Sequence, residues 1–289
     1  VGGFAVVKKS IDRLVGDIYK YLKGYPEVSP KAASELALLL SRVITEKLSR
    51  YRSPSLSMSC VGHAPRKLNL ELKHPKKVSG KDRLKFLYGD IIETLVLWLA
   101  RQAGHEVKWE QKEVSIDGVT GHIDAVIDGV LADLKSCSPF SYKKFRDATL
   151  PTNDPFGYLP QISGYRTSLK LKRCGFLAVD KVSGDMCFYE PDPDMDLPDI
   201  KAVIARARKA SKSKYTDLPP CEEPVKADKS GNLKLGMGCK LCSYRDKCWP
   251  DARVFQYSSG PEYYVKVVKA PRVKEITARK RTLKSSKGP

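Results

Sequence analysis

GHIDAVIDGVLADLKS, residues 121–136, reads as two strands around a two-residue turn. Asp128-Gly129 is the kind of dipeptide a tight hairpin takes, because both turn positions need positive φ. With that pair as the loop, Ile127 faces Val130, Val126 faces Leu131, Ala125 faces Ala132 and Asp124 faces Asp133. Cross-strand neighbours on one face stand ~4.5–5.5 Å apart at Cβ, where like charges are destabilising unless a cation lies between them. The pairing therefore predicts a divalent ion with hard oxygen ligands, Mg2+ or Mn2+, which binds through one or two carboxylates and otherwise keeps water and phosphate. Period two puts Lys135 on the face of Asp133, where its ammonium can orient or help deprotonate a water. An acid-x-Lys triplet alone says little, since it recurs at 71–73, 106–108, 110–112 and 199–201. Only Asp133-Leu134-Lys135 has a second Asp across a hairpin.

Working outward, KEVSID before this stretch extends the period-two pattern and predicts an antiparallel meander over 112–135. GFLAVD (175–180) and DMCFYE (185–190) predict a further strand pair, and between the two sets Pro160 opens a helical segment through about Leu171. Gln161 and Tyr165, spaced i and i+4, share one face of that helix. Upstream, apolar spacing behind Ser29-Pro30 predicts an amphipathic helix over 31–51, and 82–103 reads as a second, largely buried helix. Within it, Glu93 is the sole charge in the apolar run 91–100, a carboxylate that costs free energy unless something satisfies it. The order helix, strands, helix, strands predicts an α/β architecture, a central mixed sheet flanked by helices. Four regions follow: an N-terminal helical and basic region (1–80), a core (81–198), a basic helix with a cysteine lobe (199–250), and a basic C-terminal tail (251–289), flexible from Val265 onward.

The charge balance is 52 Lys+Arg against 33 Asp+Glu, a net +19 over 289 residues. Such an excess favours a polyanionic partner, and release of counterions from phosphates supplies affinity without sequence information. Nucleic acid leads that class, with Arg66, Lys67, Lys76, Lys77 and Lys81 as candidate phosphate contacts. Gln161 and Tyr165 could then reach a phosphate or a stacked base. No run is apolar enough to span a membrane. The first nine residues lack the order of a signal peptide, so the expected location is the cytoplasm, of a bacterium or a phage-infected host. No GxxxxGK[ST] is present, which excludes a nucleotide-driven motor in this chain.

Cys239-x2-Cys242-x5-Cys248 has the spacing of metal ligands and needs a fourth, for which Cys221 and the distant Cys60 are the candidates. Thiolates at this spacing accept Zn2+ as readily as a [4Fe–4S] cluster. Cys137, Cys174 and Cys187, in or beside strands, read as ordinary buried thiols.

Taken in order, Gly89 with Glu93, then Gly121-His122-Ile123-Asp124, Asp133-Leu134-Lys135 and Gln161-Ile162-Ser163-Gly164-Tyr165 resemble the motifs of the PD-(D/E)XK nuclease superfamily. The most similar branch is the RecB-like exonucleases, including CRISPR-associated and phage recombination members, over about residues 60–190. The resemblance implies a restriction-endonuclease-like core and a metal-dependent DNA nuclease, an exonuclease of recombination, repair or phage DNA metabolism. It implies Asp124, Asp133 and the backbone carbonyl of Leu134 as metal ligands, with Glu93 where many relatives use His or Glu. Lys135 would be the catalytic lysine, and Gln161 and Tyr165 would complete the signature. DNA, with single strands or free ends, would be the substrate, and a recombinase or single-strand annealing protein a partner. The cysteine spacing is similar to the C-terminal part of the iron–sulfur clasp in that branch, which favours [4Fe–4S] over zinc. The remaining clasp cysteine of the branch sits in a Cys-Pro-Arg-Lys context, which here reads Ala64-Pro65-Arg66-Lys67. Two other readings stay open: a non-catalytic nucleic-acid-binding protein with a zinc knuckle, and a structure-specific endonuclease on the same core.

Overall fold

The computed structural model describes residues 9–49 and 54–276. A 3-10 turn at Ile11–Arg13 leads into α1 (Leu14–Lys23), which buries Leu14 and Ile18, one turn apart. Pro30 opens α2 (Pro30–Ser49) and Pro65 opens α3 (Pro65–Lys73), each using the helix position where a missing N–H costs nothing. The long α4 (Gly80–Gln102) starts at Ser79, whose hydroxyl accepts from the Asp82 amide, and buries Val96 to Ala100.

Four strands follow: β1 (Val107–Lys108), β2 (Glu113–Ile116), β3 (Val119–His122) and β4 (Ala125–Ile127). Then come β5 (Val130–Cys137), α5 (Pro139–Arg146), α6 (Tyr158–Leu169), β6 (Cys174–Asp180), β7 (Met186–Tyr189) and α7 (Ile200–Lys212). The central sheet runs β1-β4-β5-β6-β7. It is mixed: β5 and β6 are parallel from Leu131↔Cys174 to Cys137↔Asp180, and every other pair is antiparallel. A parallel pair needs a crossover, and α5 and α6 supply it. Alternation along β5 sends Val130, Ala132 and Leu134 into one core with α1 and α4, and Leu131 and Cys137 into the opposite core with α5, α6 and α7. Asp133 and Lys135 share the parity of Leu131 and so face α6. The α/β architecture with a mixed sheet between helical layers is the one expected.

The hairpin register is also the expected one, Ile127↔Val130, Val126↔Leu131 and Ala125↔Ala132, around Asp128 and Gly129 at φ 50° and 85°. The single meander over 112–135 is not. β2 and β3 form a separate two-stranded sheet, and the chain changes sheets at Ile123-Asp124. Asp124 thereby lies one residue outside the ladder.

The basic C-terminal tail expected from residue 251 is folded through Ile276. Short strands β8 (Val225–Lys226) and β9 (Leu233–Lys234) precede two brief helices, α8 (Met237–Leu241) and α9 (Arg245–Cys248). With β10 (Arg253–Tyr257), β11 (Gly260–Lys266) and β12 (Glu275–Ile276) they make an antiparallel sheet ordered β12-β10-β11-β9-β8. Phe255 and Tyr264 meet edge to face at 5.2 Å beneath it, and the buried Asn232 amide ties its loops together through Val268 and Lys269. Residues 277–289, the rest of that tail, lie outside the described residues. Among the described residues no helix is long and apolar enough to cross a membrane.

Candidate active site

Because β4 begins at Ala125, the Asp124 side chain is released from strand pairing and its Oδ2 accepts the Leu134 amide at 2.6 Å. Asp133, only 1% exposed, stands on β5 beside it. The Lys135 ammonium is ion-paired with Asp133, 2.5 Å from its Oδ2. Burial pushes the Asp124 carboxyl well above the usual carboxylate range, and the charges of Asp133 and Glu93 add to the shift. Burial works against the Lys135 ammonium, but Asp133 and Asp124 outweigh it and hold its pKa above the ordinary lysine value. The arrangement is thus one buried and one half-buried carboxylate, a third within electrostatic reach, and one ammonium packed against them.

α6 completes the group. Lys135 Nζ donates to Gln161 Oε1 at 3.3 Å, and Gln161 Nε2 donates to the Tyr165 hydroxyl at 3.3 Å. Burial raises the Tyr165 phenol above its ordinary value, with Asp133 adding to the shift. Two motif glycines have a steric purpose here. A Cβ at Gly121 would lie 2.6 Å from Met58 Cβ and 2.7 Å from Tyr165 Cε1, and one at Gly164 would collide with the Met58 thioether. Their bareness seats Met58 and brings β3 against α6. Glu93, half-buried on α4, accepts from Gln111 Nε2 at 2.7 Å. Sequence reasoning missed Tyr158, whose ring centroid is 4.5 Å from Lys135 Nζ. Its signal was an aromatic at i−3 from Gln161, hidden because Pro160 seemed to mark the helix start.

Among the described residues, no three His, Cys, Asp or Glu side chains form a ready metal cage. The carboxylate pair nonetheless fits a divalent ion in its donor chemistry: hard oxygens whose charges repel each other.

The cysteine group is built differently. Each thiol of Cys221, Cys239, Cys242 and Cys248 lies within electrostatic reach of the other three. Burial pushes the Cys239 and Cys248 thiols up. The Lys67 amide donates to Cys221, and Arg66 reaches Cys248 and the Leu218 carbonyl. The Ala64-Pro65-Arg66-Lys67 segment, the first turn of α3, therefore abuts Cys221. Cys60 instead makes its contacts with Ser55 and Ser57 in its own turn. Cys137 and Cys174 are buried, with thiols raised to about 11 and about 12 by that burial, and Cys187 is half-buried.

The candidate phosphate contacts do not form one strip. Arg66 is turned inward, Lys67 lies 3.8 Å from Glu71 and over the Phe156 ring, and Lys76 lies over Tyr244. Lys77 and Lys81 are exposed.

No family model and no curated protein matches the chain. Among solved structures it is similar to the protein SSO0001, with 16% identity, a TM-score of 0.40, and 60% of this chain and 84% of that one covered. A phage-related exonuclease from Haemophilus somnus 129PT has 13% identity and a TM-score of 0.38, over 57% of this chain and 94% of its own. An alkaline exonuclease, LHK-Exo, from Laribacter hongkongensis has 12% identity and a TM-score of 0.30, over 53% and 87%.

The raised Asp124 carboxyl has a stability consequence. The folded chain holds that proton to higher pH than the unfolded chain, so stability falls as pH rises from the ordinary carboxylate range through the raised value. In EDTA, Asp124→Asn should flatten this fall and melt above wild type near neutral pH, by about 2–4 °C for each kcal/mol of repulsion relieved. A variant melting below wild type across that pH range would contradict the account.

Proposed function

We propose that the chain is a metal-dependent deoxyribonuclease, an exonuclease that hydrolyses phosphodiester bonds at DNA ends. The observation that carries the reading is the mutually repelling pair of half-buried Asp124 and buried Asp133 with Lys135 packed against it. Asp124, Asp133 and the Leu134 carbonyl would hold the ion, with Glu93 on the α4 side. A divalent cation there supplies an acidified water and neutralises phosphate charge. The protein's own groups do the orienting. Lys135, fixed by Asp133, Gln161 and the Tyr158 ring, is aimed to steady the attacking water and donate to a phosphate oxygen. Tyr165 holds Gln161, and Gln161 holds the ammonium. The excess of 19 positive charges draws the polyanion. The restriction to ends rests on the resemblance of the motif series.

The four-cysteine group belongs to the same proposal as the seat of a structural [4Fe–4S] cluster or Zn2+. Its support is the mutual proximity of four thiols beside α3. No step of the hydrolysis runs through it.

Linear DNA labelled separately at its 5′ and 3′ ends should lose label with Mg2+ or Mn2+ and stay intact in EDTA. Asp133→Asn and Lys135→Ala should each slow this by about 10²–10³-fold or more while DNA binding persists. Tight binding with intact DNA under every condition would favour the non-catalytic protein, and cutting of covalently closed circles would favour an endonuclease. In purified protein, Cys221→Ser should lose bound iron or zinc and Cys60→Ser should keep it. Metal-free wild type, or loss in Cys60→Ser alone, would contradict the four-cysteine assignment.

A further inference from the structure

One surface aromatic stands a single ring away from the Lys135 ammonium. Phe156, in the loop before α6, is 47% exposed, and its ring stacks on Tyr158 with centroids 5.4 Å apart and planes 28° apart. Tyr158 in turn stacks on the buried Phe145 at 6.0 Å and has Lys135 Nζ 4.5 Å from its centroid. Three rings therefore run from the core to the surface past the candidate centre, and the outermost is exposed. Lys67 Nζ lies 5.9 Å from that same ring, a cation beside an aromatic face.

The loop is held stiffly. Asp154 accepts the amides of Tyr158 and Leu159, both at 2.9 Å, which caps α6 directly after Phe156. Gly157, at φ 72°, lies backbone to backbone with Gly62, so that a Cβ on it would fall 2.6 Å from the Gly62 carbonyl carbon. A large apolar ring kept out of the core by a rigid frame gains nothing for the fold from its exposed face. Beside a phosphate-cleaving centre, it has the features of a nucleobase-stacking site: a π face, an adjacent cation, and fixed geometry.

We propose that Phe156 is a stacking platform for an unpaired nucleobase next to the scissile phosphate, with Lys67 contacting the neighbouring backbone phosphate. This rests on the nuclease reading and names its substrate form. An internal duplex base has both faces covered by its neighbours, so the platform favours a single-stranded or frayed end. Every base has a π face, so it does so without regard to sequence.

The test uses a single-stranded oligonucleotide carrying 2-aminopurine near its end, bound in EDTA to wild type, Phe156→Leu and Phe156→Trp. Wild type and the Trp variant should quench the fluorophore, whereas the Leu variant, similar in bulk but not aromatic, should not. With Mn2+, the Leu variant's KM for single strands should rise by about 5–100-fold, the loss falling on KM rather than kcat, and Trp should restore it. Melting temperatures report whether either variant is misfolded. A Leu variant that quenches and turns over single strands like wild type overturns the platform while leaving the nuclease standing. Wild type that binds and quenches without ever cutting overturns the nuclease reading, and wild type that does not bind single strands overturns the platform while the end-labelled linear DNA decides the nuclease reading.

Discussion

Two carboxylates held side by side, Asp133 buried and Asp124 half-buried, repel each other, and much of the geometry around residues 121–165 follows from how that repulsion is contained. Asp124 sits one residue before the ladder of β4, which frees its side chain to accept the Leu134 amide. Asp133 remains in the ladder and is buried, so its partner has to come from the same strand face, and Lys135 two residues on is the group that the pleat delivers. An ion pair this secluded is costly to assemble and more costly to leave half made. α6 meets that need by bringing Gln161 and the Tyr158 ring to the ammonium. Two bare glycines at 121 and 164 let it approach closely enough to do so.

The parts of this that could be read in the sequence are the ones fixed by local chemistry. Asp128-Gly129 can take positive φ at both positions, and once it is the turn the register of β4 on β5 has no freedom. The parity of Asp133 and Lys135 follows from that register. The break between β3 and β4 was hidden because Gly121 to Ala125 keeps a period of two while the chain changes sheets at Ile123-Asp124. A period identifies a strand but not its neighbour. The C-terminal sheet was hidden for another reason. Its strands outside β10 and β11 are two residues long, each with one charged residue, and its core joins Phe255 and Tyr264 to Asn232 more than twenty residues upstream. Phe156 and Tyr158 escaped notice because the helix begins two residues before its proline.

α3 joins features that the sequence treated separately. Its first turn gives the Lys67 amide to Cys221 and Arg66 to Leu218 and Cys248, while the Lys67 ammonium lies over Phe156. The cysteine group, the basic residues and the ring ladder are thus fastened to one short helix. Arg66, which charge alone marked as a phosphate contact, is a strut. Cys221 is brought to the same turn by the segment after α7, the helix that packs on α3.

The proposal that Asp124 and Asp133 hold a divalent cation is tested most directly by titrating Mn2+ into the full chain without DNA, following free Mn2+ by paramagnetic resonance. The account predicts saturable binding at this pair that is lost in both Asp124→Asn and Asp133→Asn and kept in Cys221→Ser. Binding unchanged in the two Asn variants, or no saturable binding in wild type, would contradict it.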